Sequence, residues 1–233
     1  MIIADYRLPL SVRITRPVLC SVLRGIFHLI SRVSIDGLEN VPKNGAYLIA
    51  INHISLYDPP FAVSFWPIAP EVAGAADVWQ RPGQSLLARG YGGIKIHRGE
   101  YDRQMIDVTL NVLRSGKPLL IAPEGGRSHT PGMRRAEPGV AYLMDKAQVP
   151  VVPVGIVGST DDFLSRGLSG QRPGIEMHIG PPLHLPAVTG RGKARREARQ
   201  TNADQVMRAI AALLPPEYRG AYGDGLKYEH EHV

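Results

Sequence analysis

The chain has 233 residues, of which 44% are hydrophobic, and this is enough to bury one substantial core. Nothing in it resembles a long linker or an internal repeat. Cys20 is the only cysteine, which excludes an internal disulfide framework and a cysteine-based metal cluster and fits a reducing compartment.

The formal net charge of +6 favours an anionic partner, which could be nucleic acid, phospholipid head groups or a phosphorylated small molecule. Aromatic residues make up only 6% of the chain, and no basic run is interleaved with residues that stack on bases. We therefore expect no nucleic-acid partner. The most basic run, residues 191–199, is predicted to be a solvated loop that leads into a helix.

Residues 17–33 alternate short apolar runs with single basic side chains. Arg24, His28 and Arg32 are spaced four apart, which places them on one face of a helix. The apolar runs are far shorter than the about 18 residues needed to span a bilayer. The pattern predicts either an interfacial helix or an amphipathic helix packed on its own domain.

After this segment the chain alternates short apolar runs with helical patterns, which is typical of an α/β domain. The predicted strands cover residues 47–51, 70–73, 94–96, 119–122, 151–157 and 175–179. The predicted helices cover residues 59–66, 102–115, 139–147 and 204–214. The second of these helices is the clearest, with Asp102 at its N-cap and Gly116 as its stop.

The first strand leads into a segment that holds a base and a carboxylate, His53 and Asp58. The unperturbed pKa of a histidine lies near neutrality, and a carboxylate bonded to one ring nitrogen fixes which nitrogen faces a substrate hydroxyl. The simpler alternative is that Asp58 is the N-cap of a helix beginning at Pro59 and that His53 is an ordinary loop histidine. His97 and Asp102 share the same spacing, but the capping role of Asp102 explains that pair.

Three further segments lie where strands end, a common place for ligand sites in α/β folds. Residues 92–98 combine glycines with the cationic Lys95, His97 and Arg98. Residues 122–128 place Glu124 and Arg127 on either side of Gly125 and Gly126, as in a phosphate clamp. Residues 149–156 form an apolar strand that lines a channel or, more simply, packs in the core.

Together and in this order, the four segments resemble the lysophospholipid acyltransferase family, of the bacterial 1-acylglycerol-3-phosphate acyltransferase type. Its members look like Asn-His-x4-Asp, Gly-x-Ile-x-Ile-x-Arg, Phe-Pro-Glu-Gly-Thr-Arg-Ser and Val-Pro-x-Val-Pro-Val. The matching residues here are Asn52, His53, Asp58, Gly92, Ile94, Ile96, Arg98, Pro123, Glu124, Gly125, Arg127, Ser128, Val149, Pro150, Val152, Pro153 and Val154. The similarity runs from about residue 35 to residue 185, and Ile179-Gly180-Pro181-Pro182 resembles the family's Ile-Gly-x-Pro ending.

The resemblance implies an α/β fold in which helices flank a mixed central sheet. It divides the chain into an N-terminal membrane-interface helical segment, residues 1–34, and an acyltransferase α/β domain, residues 35–233. The implied reaction moves a fatty acyl group from acyl-CoA or acyl carrier protein to the hydroxyl of a lysophospholipid, with 1-acylglycerol-3-phosphate giving phosphatidic acid. It needs no cofactor and no metal, and the implied location is peripheral, on the cytoplasmic face of the membrane.

In that reaction His53 is the general base and Asp58 holds its other ring nitrogen. The acceptor phosphate is bound by Arg98 and Arg127, and Gly125 and Gly126 shape the turn between them. Glu124 would repel an anion, so its expected task is to orient Arg127 or another donor.

The chain departs from the family pattern at three places. Ala122 replaces the usual phenylalanine, Gly126 replaces the usual threonine, and the lysine that often precedes the second segment is missing. These departures leave open a different lipid acceptor, or a catalytically weak lipid-binding protein. A hydrolase that uses Ser55 or Ser128 is a further alternative, although the chain has no Gly-x-Ser-x-Gly elbow.

Overall fold

The structure is a computed structural model that describes residues 6–96 and 103–223. Within these residues the helices are α1 (Leu10–Ile30), α2 (Asp58–Phe65), α3 (Gln84–Tyr91), α4 (Arg103–Arg114), α5 (Pro138–Ala147), α6 (Phe163–Leu168) and α7 (Gly192–Ala212). The strands are β1 (Arg32–Asp36), β2 (Leu48–Ile51), β3 (Glu71–Ala75), β4 (Ile94–Ile96), β5 (Leu119–Ile121), β6 (Val151–Val157) and β7 (Gly174–Ile179). Short 3₁₀ helices occur at Leu38–Asn40, Ala76–Gln80, Pro216–Tyr218 and Gly220–Tyr222.

The strands form one seven-stranded sheet in the order β1-β7-β6-β2-β5-β3-β4. All neighbouring pairs are parallel except β6 and β7, which are antiparallel. The predicted mixed α/β sheet is therefore confirmed. The centre of the sheet is β2, which lies between β6 and β5, so the carboxyl ends of these three strands meet at one edge.

Both faces of β2 are buried, which explains its continuous apolar sequence. Leu48 and Ala50 pack in a cluster with side chains of α4, α5 and α7. Ile49 and Ile51 point to the other face, where they pack in a cluster with side chains of α1 and α2. Because side chains alternate along a strand, one tetrapeptide joins two helical layers.

All six predicted strands are present, each with ends within two residues of the prediction. Strand β1 was not predicted, because the helical pattern of the N-terminal segment was extended to residue 33. The helix ends at Ile30, and Ser31 has an extended backbone with φ −143° and ψ 172°. Arg32 therefore lies in a strand that pairs with β7, and it does not share a helical face with Arg24 and His28. The expected division after residue 34 falls inside this strand.

The predicted solvated loop at residues 191–199 is wrong, because nearly all of that run forms the start of α7. Arg195 and Arg199 lie one helical turn apart and both reach the carboxylate of Asp145 on α5, at 3.3 and 2.8 Å. Asp145 therefore neutralises arginine charges that have no evident partner nearby in the sequence. Helices α3 and α6 were also not predicted, and the Asp102 cap lies outside the described residues.

Helix α1 packs against α2, α3 and the start of β1, so it is part of the same body as the sheet. Its buried side chains are Val12, Arg16, Cys20, Phe27 and Ile30. In the described parts of the chain, no helix has the length and apolar character to cross a membrane.

Candidate active site

Three loops meet at the edge of the sheet where β2, β5 and β6 end. The loop after β2 carries His53 and Asp58, the loop after β5 carries Glu124 and Arg127, and the loop after β6 begins at Gly158. Asn52 holds the first and third of these together: its side-chain amide donates to the carbonyl of Ile156 at 2.9 Å, and its carbonyl accepts the Ile156 N–H at 2.7 Å. Asn52 is fully buried, which indicates a structural role.

The His53 ring lies against the carboxylate of Asp58, with 2.9 Å between Nδ1 and Oδ2. Asp58 is fully buried, whereas 13% of the His53 side chain is exposed. Because the carboxylate is an acceptor, Nδ1 carries the proton of a neutral ring and Nε2 carries the lone pair. No described residue hydrogen-bonds Nε2, so this nitrogen is available to a substrate.

Several other donors hold the Asp58 carboxylate. Oδ2 accepts the backbone N–H groups of Ile54 at 2.8 Å and Ser55 at 2.9 Å, and Oδ1 accepts the hydroxyl of Ser159. The predicted N-cap role of Asp58 is wrong: Tyr57 is the N-cap of α2 and Asp58 is its first residue. The carboxylate turns back to the preceding loop instead, and this is the conformation that presents it to His53.

Glu124 is almost completely buried, at 1% exposure, and holds two backbone segments. Its Oε1 accepts the N–H of His53 and its Oε2 accepts the N–H of Arg134, both at 2.8 Å. Burial raises the pKa of Glu124, and the two amide donors lower it by less. Of the two expected partners, Arg127 or another donor, the structure gives the second: Glu124 orients main-chain donors, one of which belongs to the proposed base itself.

Gly125 is required by the turn that brings Glu124 to His53. Its φ is +65°, and an added Cβ would lie 2.4 Å from Cγ of Glu137. The Gly125 N–H closes the turn on the carbonyl of Ala122 at 3.0 Å, and the Glu137 N–H binds the carbonyl of Pro123 at 2.9 Å. A side chain at position 125 would therefore disturb the wall of the site.

Arg127 lies on a loop that runs beside the His53 loop. The N–H of Ser128 donates to the carbonyl of His53 at 2.8 Å, and the N–H of His129 donates to the carbonyl of Ile54 at 3.3 Å. Arg127 is half-buried, and among the described residues nothing hydrogen-bonds or ion-pairs with its guanidinium. A cation in this position is free to bind an anionic group.

The second predicted segment is only partly described. Its strand, β4, is parallel to β3 and lies at the end of the sheet, and Lys95 is exposed. His97 and the proposed phosphate ligand Arg98 lie outside the described residues.

The serines of the alternative hydrolase make other contacts. Ser55 is fully buried and its Oγ accepts the N–H of Tyr57 at 3.2 Å. The hydroxyl of Ser128 donates to the carbonyl of Thr130. Across the described residues neither serine is bonded to the His53 ring, so the geometry does not form a serine nucleophile with its base.

Two contacts of the site were missed in the sequence. Ser159 donates to Asp58 from the end of β6, and Tyr218 receives the N–H of Gly158 at 3.1 Å. The polar run Gly158-Ser159-Thr160 at the end of an apolar strand was the available signal for the first. Nothing in the local sequence distinguishes Tyr218 from the other tyrosines.

Comparison with known proteins decides the family. A model of the acyltransferase family matches residues 32–157, which is more than half of the chain and includes all four segments. The chain belongs to the acyltransferase family. The resemblance inferred from the four segments is thus confirmed.

Relatives of this acyltransferase-family chain occur in animals and bacteria. It is 26% identical over 170 residues to human 1-acyl-sn-glycerol-3-phosphate acyltransferase alpha, covering 68% of this chain and 57% of that protein. It is 20% identical over 156 residues to 1-acyl-sn-glycerol-3-phosphate acyltransferase of Borreliella burgdorferi, covering 66% of this chain and 62% of the relative. The chain therefore spans less than two thirds of the length of these curated relatives.

A solved structure shares the fold. The 1-acyl-sn-glycerophosphate (LPA) acyltransferase PlsC from Thermotoga maritima superposes with a TM-score of 0.57 and 20% identity, over 84% of this chain and 78% of that chain. At this identity the match shows the fold of the acyltransferase-family chain and leaves its substrates to be argued from the site.

Proposed function

We propose that this protein transfers a fatty acyl group from an acyl thioester to the free hydroxyl of a lysophospholipid, specifically 1-acylglycerol-3-phosphate, giving phosphatidic acid. The observation that carries the proposal is the His53–Asp58 pair, in which a buried carboxylate fixes the imidazole and leaves Nε2 open. The names of the relatives, which are 1-acyl-sn-glycerol-3-phosphate acyltransferases, support this acceptor.

In the proposed mechanism Nε2 of His53 takes the proton of the acceptor hydroxyl while its oxygen attacks the thioester carbonyl. Asp58 stabilises the imidazolium that forms, since it already accepts the Nδ1 proton. Collapse of the tetrahedral intermediate breaks the carbon–sulfur bond, and the imidazolium returns its proton to the departing thiolate. The donor is acyl-CoA or acyl carrier protein, and no step is assigned to a metal or a resident cofactor.

We further propose that the guanidinium of Arg127 binds the acceptor phosphate, because a half-buried arginine beside the His53 loop offers a planar set of donors to an anion. Arg98 is proposed as a second ligand. Gly125 and Gly126 shape the turn, and Glu124, whose oxygens are both occupied, holds His53 without touching the phosphate.

Release of free thiol from an acyl thioester, with and without lysophosphatidic acid, tests the reaction class. Release that depends on the acceptor is expected. Release without the acceptor would make the protein a hydrolase, and no release would make it a lipid-binding protein. Release that depends only on a different lysolipid would support acyl transfer but show that the acceptor is not lysophosphatidic acid. The departures from the family pattern at Ala122 and Gly126 allow this outcome.

Replacement of Arg127 by Ala tests the phosphate ligand. The KM for lysophosphatidic acid should rise by about tenfold or more, since a charge-assisted contact is lost, while the KM for the thioester stays within about twofold. Arg81→Ala is the control, because within the described part of the chain the Arg81 side chain pairs with the exposed Asp77, four residues away, and with no other residue. Equal increases in both KM values would contradict the role of Arg127.

We also propose that α1 binds the membrane surface that supplies the lipid, from the cytoplasmic side that either thioester donor implies. One face of α1 packs on the domain, and the opposite face carries an exposed apolar stripe: Leu10, Ile14, Val18, Val22, Ile26 and Leu29. These side chains are 43–75% exposed. The helix is about 30 Å long at 1.5 Å per residue, so the stripe is long enough to lie along a bilayer.

Helix α6 packs against the end of α1 and also carries exposed apolar side chains. Gly167 packs against Ile30, where an added Cβ would lie 2.9 Å from the Ile30 Cβ. Leu164 and Leu168 of α6 are 39% and 73% exposed. The positive net charge of the chain adds attraction to anionic lipid head groups.

Flotation with phosphatidylglycerol-containing vesicles tests the stripe. The double variant Ile14→Glu/Val22→Glu should lose most of its binding, because two charges would enter the lipid interface. The control Leu38→Glu/Ile68→Glu carries the same charge change at exposed positions outside α1 and should still float. Equal flotation of the two variants would refute the role of α1.

A further inference from the structure

The loop after β6 contributes a contact to Asp58 that neither the family segments nor the proposed mechanism uses. Ser159 is fully buried, and its hydroxyl donates to Oδ1 of Asp58. The other oxygen, Oδ2, already accepts two backbone amides and the His53 ring. Ser159 is the donor that occupies Oδ1 among the described residues, so its loss would leave one buried carboxylate oxygen without a partner.

The backbone around Ser159 is held from two sides. Gly158 has φ +85°, and a Cβ there would lie 2.2 Å from the carbonyl oxygen of Gly174, so only glycine fits. The N–H of Gly158 donates to the hydroxyl of Tyr218 at 3.1 Å. Tyr218 is buried and belongs to the 3₁₀ helix that follows α7.

Tyr218 also reaches the loop that holds Glu124. Its carbonyl accepts the N–H of Met133 at 3.1 Å, and the next residue, Arg134, donates its N–H to Glu124. One tyrosine thus joins the loop that fixes Asp58 to the loop that fixes the backbone of His53. Tyr218 lies outside the region of resemblance, which ends near residue 185.

We propose that Ser159 is a positioning residue for the base: its hydroxyl fixes the Asp58 carboxylate, and through it the ring orientation and tautomer of His53, while Tyr218 holds Ser159 in place. This inference rests on the proposed function. Because Ser159 is buried, it acts through Asp58 and does not meet the substrate. A carboxylate with one unpaired oxygen can rotate, and it then holds the Nδ1 proton less firmly.

A double-mutant cycle tests the proposal in the acyl-transfer assay. Ser159→Ala should lower kcat about tenfold with both KM values within about twofold, and Ser159→Thr, which keeps the hydroxyl, should recover most of the loss. In an Asp58→Asn background the same Ser159→Ala change should not lower kcat further, because the carboxylate that the Ser159 hydroxyl binds is already absent. An equal loss in both backgrounds would show a general structural role and overturn the proposal.

Two further variants guard against a folding defect. Ser64→Ala removes another fully buried serine hydroxyl, which donates to the carbonyl of Pro60 within α2, and should leave kcat unchanged. Tyr218→Phe removes only the acceptor of the Gly158 N–H and should lower kcat in the same direction as Ser159→Ala, by a smaller factor. Full kcat in both Ser159→Ala and Tyr218→Phe would overturn the proposal.

Nitrogen NMR of the His53 ring gives a measurement that needs no substrate. The neutral ring of the unaltered protein should carry its proton on Nδ1, and Ser159→Ala should raise the population with the proton on Nε2. An unchanged tautomer ratio would refute the role of Ser159 even if activity fell. If the unaltered protein transferred no acyl group, the proposed function would fail, and the NMR comparison would still decide the contact.

Discussion

A buried ion pair connects α1 to the sheet, and its removal should lower the stability of the protein by a measurable amount. Arg16 on α1 is 4% exposed and Glu71 at the start of β3 is 1% exposed. Their two hydrogen bonds measure 3.0 and 2.7 Å, and Nε of Arg16 donates to the carbonyl of Tyr91 at 2.8 Å. The hydroxyl of Tyr6 also donates to Glu71, at 3.0 Å, so the carboxylate is the centre of a buried network.

Replacement of Arg16 by Met leaves Glu71 buried without its main partner. Removal of one member of a buried pair costs about 3–5 kcal/mol, and Lys117, whose Nζ lies 3.7 Å from Glu71, offsets part of that. We therefore expect a loss of about 3 kcal/mol in the free energy of unfolding. For a chain of this size that corresponds to a fall of about 6–12 °C in Tm.

Urea unfolding followed by circular dichroism measures this loss. The matched control is Arg81→Met, which removes a pair whose side chains are 47% and 48% exposed and should cost at most about 1 kcal/mol. The double variant Arg16→Met/Glu71→Met should regain much of the lost stability, since no unpaired charge stays buried. Similar losses for Arg16→Met and Arg81→Met would show that the buried Arg16–Glu71 pair contributes no more than an exposed pair.

Three further predictions concern single residues. Because burial raises the pKa of Glu124, the folded protein holds the Glu124 proton more tightly than the unfolded chain does. The contribution of Glu124 to the free energy of unfolding therefore falls as pH rises from the ordinary glutamate pKa through the raised one. In urea titrations Glu124→Gln should flatten this pH dependence, and an unchanged pH dependence would contradict the raised pKa. Burial also raises the pKa of the Cys20 thiol, so a disulfide reagent should label it far more slowly in buffer than in urea, and equal rates would contradict its burial. Gly158→Ala should lower the free energy of unfolding by at least about 2 kcal/mol more than Gly170→Ala does, because both glycines have positive φ but only a Cβ at position 158 would clash with backbone atoms. Equal losses of stability in thermal unfolding would refute this prediction.

The central strands could be predicted because burial on both faces gives them continuous apolar sequences. The edge strand β1 was missed because Arg32, Ser34 and Asp36 are polar and point outward, and only its pairing with β7 makes it a strand. The first half of α7 was missed for a related reason: its arginines are stabilised by Asp145, 50 and 54 positions away along the chain.

The site shows the same limit. The spacing of His53 and Asp58 was readable because both lie in one loop, and the structure places their side chains in contact. The Asp58–Ser159 contact joins residues 101 positions apart, so no local pattern contains it. Glu124 was expected to orient Arg127 or another donor, and its partners are two backbone amides from separate loops. This convergence depends on the turn at Gly125, so the local sequence did not identify the two donors.

The role of His53 is tested most directly by the amount of phosphatidic acid formed from lysophosphatidic acid and an acyl thioester. Mass spectrometry would measure this product for His53→Ala and for the control His178→Ala. Both ring nitrogens of His178 face carboxylates, Asp36 at 3.2 Å and Glu176 at 3.1 Å, at the far edge of the sheet, so this second histidine has no free nitrogen to act as a base. We expect a fall of about 10²- to 10⁴-fold in product formation for His53→Ala and nearly full activity for His178→Ala. If His53→Ala formed phosphatidic acid at a rate close to that of the unaltered protein, the assignment of His53 as the base would be wrong.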